Sequence, residues 1–180
     1  MRLFIAFEVS EESKKHLLEA QKQLEAGNAK LTFTKSFHLT LKFLGELAPA
    51  KAEEVKKRLA TVEFKPFTAR LNGTGVFPSE DYVRVVWVGL EPKDLICALQ
   101  KSIDAALGGL FEKEKDFQPH ITLARVKFVK DKKQFSETVK NLRVAPVSFE
   151  VKEFKLIESK LQGKEGPEYT DVSSVKAQPL

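Results

Sequence analysis

The sequence predicts an α+β fold of two pseudo-symmetric lobes, each a sheet with outer helices, facing each other across a central cleft. Two observations predict it. Strand-like alternation and helix-like periodicity succeed one another along the chain, and the order recurs after a constant shift: Pro92, His120 and Phe149 stand 82 residues after Ser10, His38 and Phe67. Length sets the scale, since 180 residues with 42% hydrophobic content and 14 Phe suffice for a domain with its own core. We expect a single domain over residues 1–180, made of duplicated lobes at about 1–75 and 82–160 with a C-terminal tail.

Taken in order, residues 2–9 alternate Leu3, Ile5 and Phe7 against Phe4 and Ala6 and read as a strand. Ser10 caps a helix with Glu11 and Glu12 in its first turn, a buried stripe of Leu17, Ala20 and Leu24, and a stop at Gly27-Asn28. A strand follows around residues 38–44, then a helix opened near Pro49 with Val55, Leu59 and Val62 on one face, then a strand over about 64–71. The run from Gly73 to Asp81, rich in Gly, Pro and acid, reads as a connection. The second half repeats the order. A strand over 82–89 precedes a helix from Pro92 to about Leu107, with Leu95, Leu99, Ile103 and Ala106 inward and Gly108-Gly109 as its stop. A strand over 120–126, a helix around 132–142 built on Phe135, Val139 and Leu142, and a strand over 147–157 complete it. Phe43 and Phe128 are expected in the core, and the chain from Gly163 onward reads as a loop-like tail.

Charge and cysteine content narrow the function classes. Thirty basic against 25 acidic residues leave a net +5, which tolerates an anionic partner but lacks the dense Lys/Arg blocks of a duplex-binding surface. The single Cys97 excludes an internal disulfide and reads as a small core residue in a reducing compartment. No apolar run approaches the roughly 18 residues of a membrane helix, and the opening apolar stretch ends at once in Glu8, so a cytoplasmic protein without membrane contact is expected.

The chemistry lies in the repeat. His38-Leu39-Thr40-Leu41 and His120-Ile121-Thr122-Leu123 are one pattern at the same point of each half. With nine Thr in 180 residues, a Thr falls two positions after a given His about one time in 20 by chance, yet two of the three His show it. On a strand, residues two apart share a face, so each His carries its Thr into the same space. Two imidazoles with an ordinary pKa near 6.5 can supply one acid and one base at neutral pH, and the hydroxyls can donate to anionic oxygens without titrating. That set suits attack at phosphorus with no metal. A zinc site would need three or four ligands, and two His without Cys or a placed carboxylate fall short. His16, between Lys15 and Leu17, reads as a solvated residue of the first helix.

The two H-x-T-L motifs, the opening Arg2-Leu3-Phe4-Ile5-Ala6, the run from Phe77-Pro78 to Arg84-Val85-Val86-Trp87-Val88-Gly89-Leu90, and His120-Ile121-Thr122-Leu123-Ala124-Arg125 resemble the 2H phosphoesterases. Within them the chain is most similar to the RNA 2′,3′-cyclic phosphodiesterase or 2′-5′ RNA ligase (LigT-like) branch, over nearly its whole length. The resemblance implies a two-lobed α+β fold with both motifs in the cleft, and opening of RNA 2′,3′-cyclic phosphate ends to a 2′-phosphate. For some members it also implies reversible 2′-5′ joining of tRNA halves. It makes His38 the general acid to the 3′ oxygen and His120 the base that activates water, with Thr40 and Thr122 on the phosphate. The residues alone leave the acid and base labels interchangeable.

Three further residues are candidate substrate contacts. Arg125 stands where the family often places a basic residue, but strict alternation sets it on the face opposite His120, so contact and rim position both stay open and a bulge would decide between them. Lys42 shares the His38 face by alternation and is the better placed basic residue of its half. Tyr169 resembles a C-terminal family Tyr that could stack a base, and a packing role is equally compatible with its position. No cofactor or metal is expected, and a monomer acting on RNA ends is. Two other classes stay open: a module that binds cyclic-phosphate RNA ends without turnover, and a 2H enzyme acting on a small cyclic nucleotide.

Overall fold

A computed structural model of the chain describes residues 1–25 and 27–180. Among these the elements are β1 (Arg2–Glu8), α1 (Glu11–Gln23), β2 (Ala29–Phe33), β3 (His38–Glu46), α2 (Pro49–Leu59), β4 (Phe67–Ser79), β5 (Tyr82–Glu91), α3 (Lys93–Ala106), β6 (His120–Val129), α4 (Lys132–Lys140), β7 (Ser148–Val151), β8 (Glu153–Leu161) and β9 (Pro167–Lys176). One sheet has the order β3-β1-β8-β9, the other β2-β6-β5-β4-β7. The α+β class and the two facing sheets are those expected.

Local chemistry explains the elements. Ser10 accepts the Ser13 N–H at 3.1 Å and starts α1, whose Leu17 and Ala20 are fully buried, with Leu24 buried just beyond its last turn. Asp131 accepts the Gln134 N–H at 3.0 Å and starts α4 over buried Phe135. In α3 the inward stripe is Ile96, Leu99 and Ile103; Leu95, expected inward, is 45% exposed, and Cys97 is half-buried rather than core. The run expected as a connection after residue 72 is instead the continuation of β4. Gly73, at φ +71, absorbs a register shift against β5, and Gly75 lets the Trp87 ring lie on the strand: a Cβ there would stand 2.1 Å from Trp87 Cζ2. The short β2, which pairs only with β6, was not expected.

The strand expected over 147–157 is two strands in two sheets. Phe149 and Val151 are buried at odd positions, Phe154 and Leu156 at even ones, and the chain crosses between sheets at that change of phase. The tail expected as a loop contains β9, paired with β8 from Pro167 to Lys176. The sheets also mix the two halves of the chain. β4 pairs with β5, the first strand of the second half, and β8 pairs with β1, the first strand of the first. Each half's first strand is covered on one edge by its own motif strand and on the other by the partner half's last strand, an exchange that periodicity alone does not reveal. At the crossing, Thr68 faces Glu150, its own counterpart 82 residues on, in the antiparallel ladder of β4 and β7. An antiparallel pair has a local twofold axis, so the symmetry axis of the repeat runs between these strands.

Candidate active site

β3 and β6 carry the H-x-T motifs and pack against each other where the sheets meet. In regular register His38 and Thr40 face Glu8 and Ala6 of β1, and His120 and Thr122 face Gly89 and Trp87 of β5. Each His thus shares a face with its Thr, as expected. The next residue breaks the alternation in both strands. Ala6 faces Thr40 while Ile5 faces Lys42, so Leu41 is an extra residue; Trp87 faces Thr122 while Val86 faces Ala124, so Leu123 is its counterpart. Each bulge turns the following pair over. Lys42 and Ala124 go to the core, and Phe43 and Arg125 come to the face of the histidines.

This settles the placement of Arg125 on the cleft face and corrects that of Lys42, which is 4% exposed and is not a substrate contact. Its Nζ donates to Asp104 Oδ1 at 2.7 Å, to the Glu112 carbonyl at 2.8 Å and to Glu114 Oε1 at 3.4 Å. Asp104 also accepts from Gln100 Nε2 and from the Glu114 N–H, both at 2.9 Å. Burial alone would raise the Asp104 pKa, but the hydrogen bonds from Lys42, Gln100 and Glu114 prevail and hold it below its usual value. In the other strand, the Leu123 carbonyl at the bulge accepts from Gln21 Nε2 at 2.9 Å and from the Thr34 N–H at 2.9 Å. Both bulges are thus held by a helix of the opposite half: α3 at β3 and α1 at β6. Phe43, expected in the core, is 70% exposed, and Phe128 is also exposed.

Each imidazole lies among aromatic rings. His38 is 5.0 Å from Phe4 and 5.5 Å from Tyr169 between centroids, the latter edge-on. His120 is 4.9 Å from Phe77, edge-on, and 5.9 Å from Trp87. Burial lowers His38 to about 4 against the opposing pull of the Glu8 carboxylate. Burial also lowers His120, with the Gln118 carbonyl opposing and the Arg125 charge reinforcing the shift. Gln118 O lies 2.7 Å from His120 Nδ1. A carbonyl only accepts, so Nδ1 carries the proton and the Nε2 lone pair is free. Tyr169 sits on β9 and is raised by burial, with the Arg125 and Arg2 charges opposing. Tyr169 meets the His38 ring edge-on, and the contact of β3 with β6 brings the two motif strands together. His16 pairs with Glu19 at 3.5 Å on α1, outside it.

Phe4, Phe43, Phe77, Trp87 and Gln118 belong to this surface, and none of them has a role in the site among the expectations from sequence. A signal for Phe43 existed, because it lies 82 residues before Arg125. Among the described residues, no group of three or more His, Cys, Asp or Glu comes together as a metal site would require.

Comparison with known proteins agrees with this architecture. The LigT like Phosphoesterase family model matches the chain twice, over residues 7–87 and 88–169. The RNA 2′,3′-cyclic phosphodiesterase of Methanocaldococcus jannaschii is 34% identical over 171 residues, covering 94% of this chain and 96% of that protein. A Thermus thermophilus protein of known crystal structure superposes with a TM-score of 0.75 at 33% identity, covering 98% of this chain and 97% of its own. Apo LigT of E. coli, at 23% identity, shares the fold with a TM-score of 0.78 over 99% of this chain and 98% of its own. With its two matches spanning nearly the whole sequence, the chain belongs to the LigT-like phosphoesterase family.

Proposed function

We propose that the protein hydrolyses RNA 2′,3′-cyclic phosphate ends to 2′-phosphates without a metal. The observation that carries this reading is the pair of H-x-T motifs, placed at equivalent points of β3 and β6 where those two strands pack against each other. His120 Nε2, left free by the Nδ1 bond to Gln118, takes a proton from water as its oxygen attacks phosphorus. The P–O3′ bond breaks, and His38 gives a proton to the departing 3′ oxygen. Thr40 and Thr122 donate to the non-bridging oxygens, Arg125 offsets their charge, and Tyr169 stacks the terminal base. A 5′-hydroxyl in place of water yields a 2′-5′ linkage by the same two proton transfers, which allows joining of tRNA halves. The enzyme acts as a monomer, in the cytoplasm, where a reducing setting suits the one free thiol, Cys97.

The test is incubation with an oligonucleotide ending in a 2′,3′-cyclic phosphate, in chelator, with identification of the product ends. A 2′-phosphate is expected, with turnover about 10² to 10⁴-fold lower in His38→Ala and in His120→Ala. Tight binding without turnover would overturn hydrolysis in favour of a binding module; turnover of mononucleotides but not of RNA would favour a small cyclic nucleotide as substrate.

A further inference from the structure

A cavity of about 630 Å³ opens away from the histidines, at the end of the second sheet where the β4–β5 hairpin, the C-terminal end of β6 and α4 meet. Its apolar lining comes from Val76, Val83, Val126 and Val139. Arg84, Lys127, Lys132 and Lys140 also line it, against the two acids Glu80 and Asp81 of the hairpin. Among the described residues, none of these four cations joins an ion pair. Tyr82 and Phe128 add two exposed rings, and Arg84 lies over the Tyr82 ring at 5.6 Å. An apolar floor with exposed rings and unpaired cations is the chemistry that holds stacked bases on a charged backbone. The two ends of β6 connect the places: His120 opens the strand, Arg125 is on the cleft face, and Lys127 follows two residues on, as the extra residue at a register shift against β2.

We infer that this cavity holds the single-stranded RNA leading to the cyclic-phosphate end, several nucleotides from the reacting phosphate. The inference rests on the proposed function and extends it: the motifs act on the end, and the cavity makes the protein prefer an RNA strand over a mononucleotide. The cations track the phosphates while a base lies against the apolar lining and Phe128.

The test uses a fluorescent hexanucleotide ending in a 2′-phosphate, which binds without reacting, alongside turnover of uridine 2′,3′-cyclic phosphate and of a hexanucleotide with a cyclic end. Lys132→Glu combined with Lys140→Glu replaces two surface cations on α4. It is expected to weaken hexanucleotide binding by about tenfold or more and to reduce the salt slope by roughly 1.4. It is expected to leave mononucleotide turnover unchanged. Phe128→Ala should weaken hexanucleotide binding with the salt slope intact. Unchanged hexanucleotide affinity in the double variant, or an equal loss on mononucleotide and hexanucleotide, would overturn the assignment. Native protein that binds the hexanucleotide through these lysines but turns over neither substrate would overturn the proposed hydrolysis and leave the cavity assignment standing.

Discussion

His38 and His120 both lose basicity to burial, so in the free protein both imidazoles are neutral at pH 7. A general acid needs a proton that His38, at about 4, does not hold there. The anionic phosphate supplies the missing charge on arrival, since an opposite charge nearby favours the protonated form. The sign of the pH dependence follows. kcat/KM reports the free enzyme, whose reactive form has one imidazole protonated and one neutral, so its maximum should lie on the acid side of 6.5. kcat reports the complex, in which the phosphate raises the acid's pKa, so its alkaline limb should move upward. Measured profiles of both constants check this, and a kcat/KM maximum above pH 7 would reject the neutral-pair description.

At the scale of the element, the two bulges decide what the cleft contains. One extra residue in β3 brings Phe43 forward and sends Lys42 inward, where Asp104 receives it. Removing Asp104 leaves the buried Lys42 ammonium with only the Glu112 carbonyl and the longer Glu114 contact, so Asp104→Leu should cost about 3 kcal/mol in urea unfolding, the lower end for a broken buried pair. Adding Lys42→Met should restore part of it, because the buried cation is removed while Gln100 Nε2 and the Glu114 N–H still lose their acceptor. A double variant as unstable as the single one would mean that the pair is not what holds the bulge. Because the folded pKa of Asp104 is depressed, the stabilisation is present above its ordinary value and lost as the pH falls toward and through the folded one. Bulges are poorly legible in sequence because register is set by the neighbouring strand. His38, Thr40, His120 and Thr122 precede the bulges and were placed by alternation alone; Lys42 and Phe43 follow one and were inverted. The repeat itself held a clue, since Ala124, the counterpart of Lys42, is a core residue.

At the scale of the molecule, the helices and most strands were legible because their periodicity is local, while sheet membership was not. Phe67 to Ser79 and Ser148 to Leu161 each serve both halves, and only the paired edges tell where a strand goes. The exchange has an energetic consequence: a chain of residues 1–82 alone would leave the free edge of β1 and the far part of β4 without partners. Such a fragment should be unfolded at low concentration by circular dichroism and should associate in pairs as concentration rises; a stable folded monomer would contradict the exchange. In a pair of identical copies the axis between Thr68 and Glu150 would be a true twofold, and the positions of residues 43 and 125 would be one position seen twice. Both would then carry a ring, or both a guanidinium. A surface that carries a ring at position 43 and a guanidinium at position 125 cannot be made by a homodimer; it needs both halves in one polypeptide, where the two positions can differ.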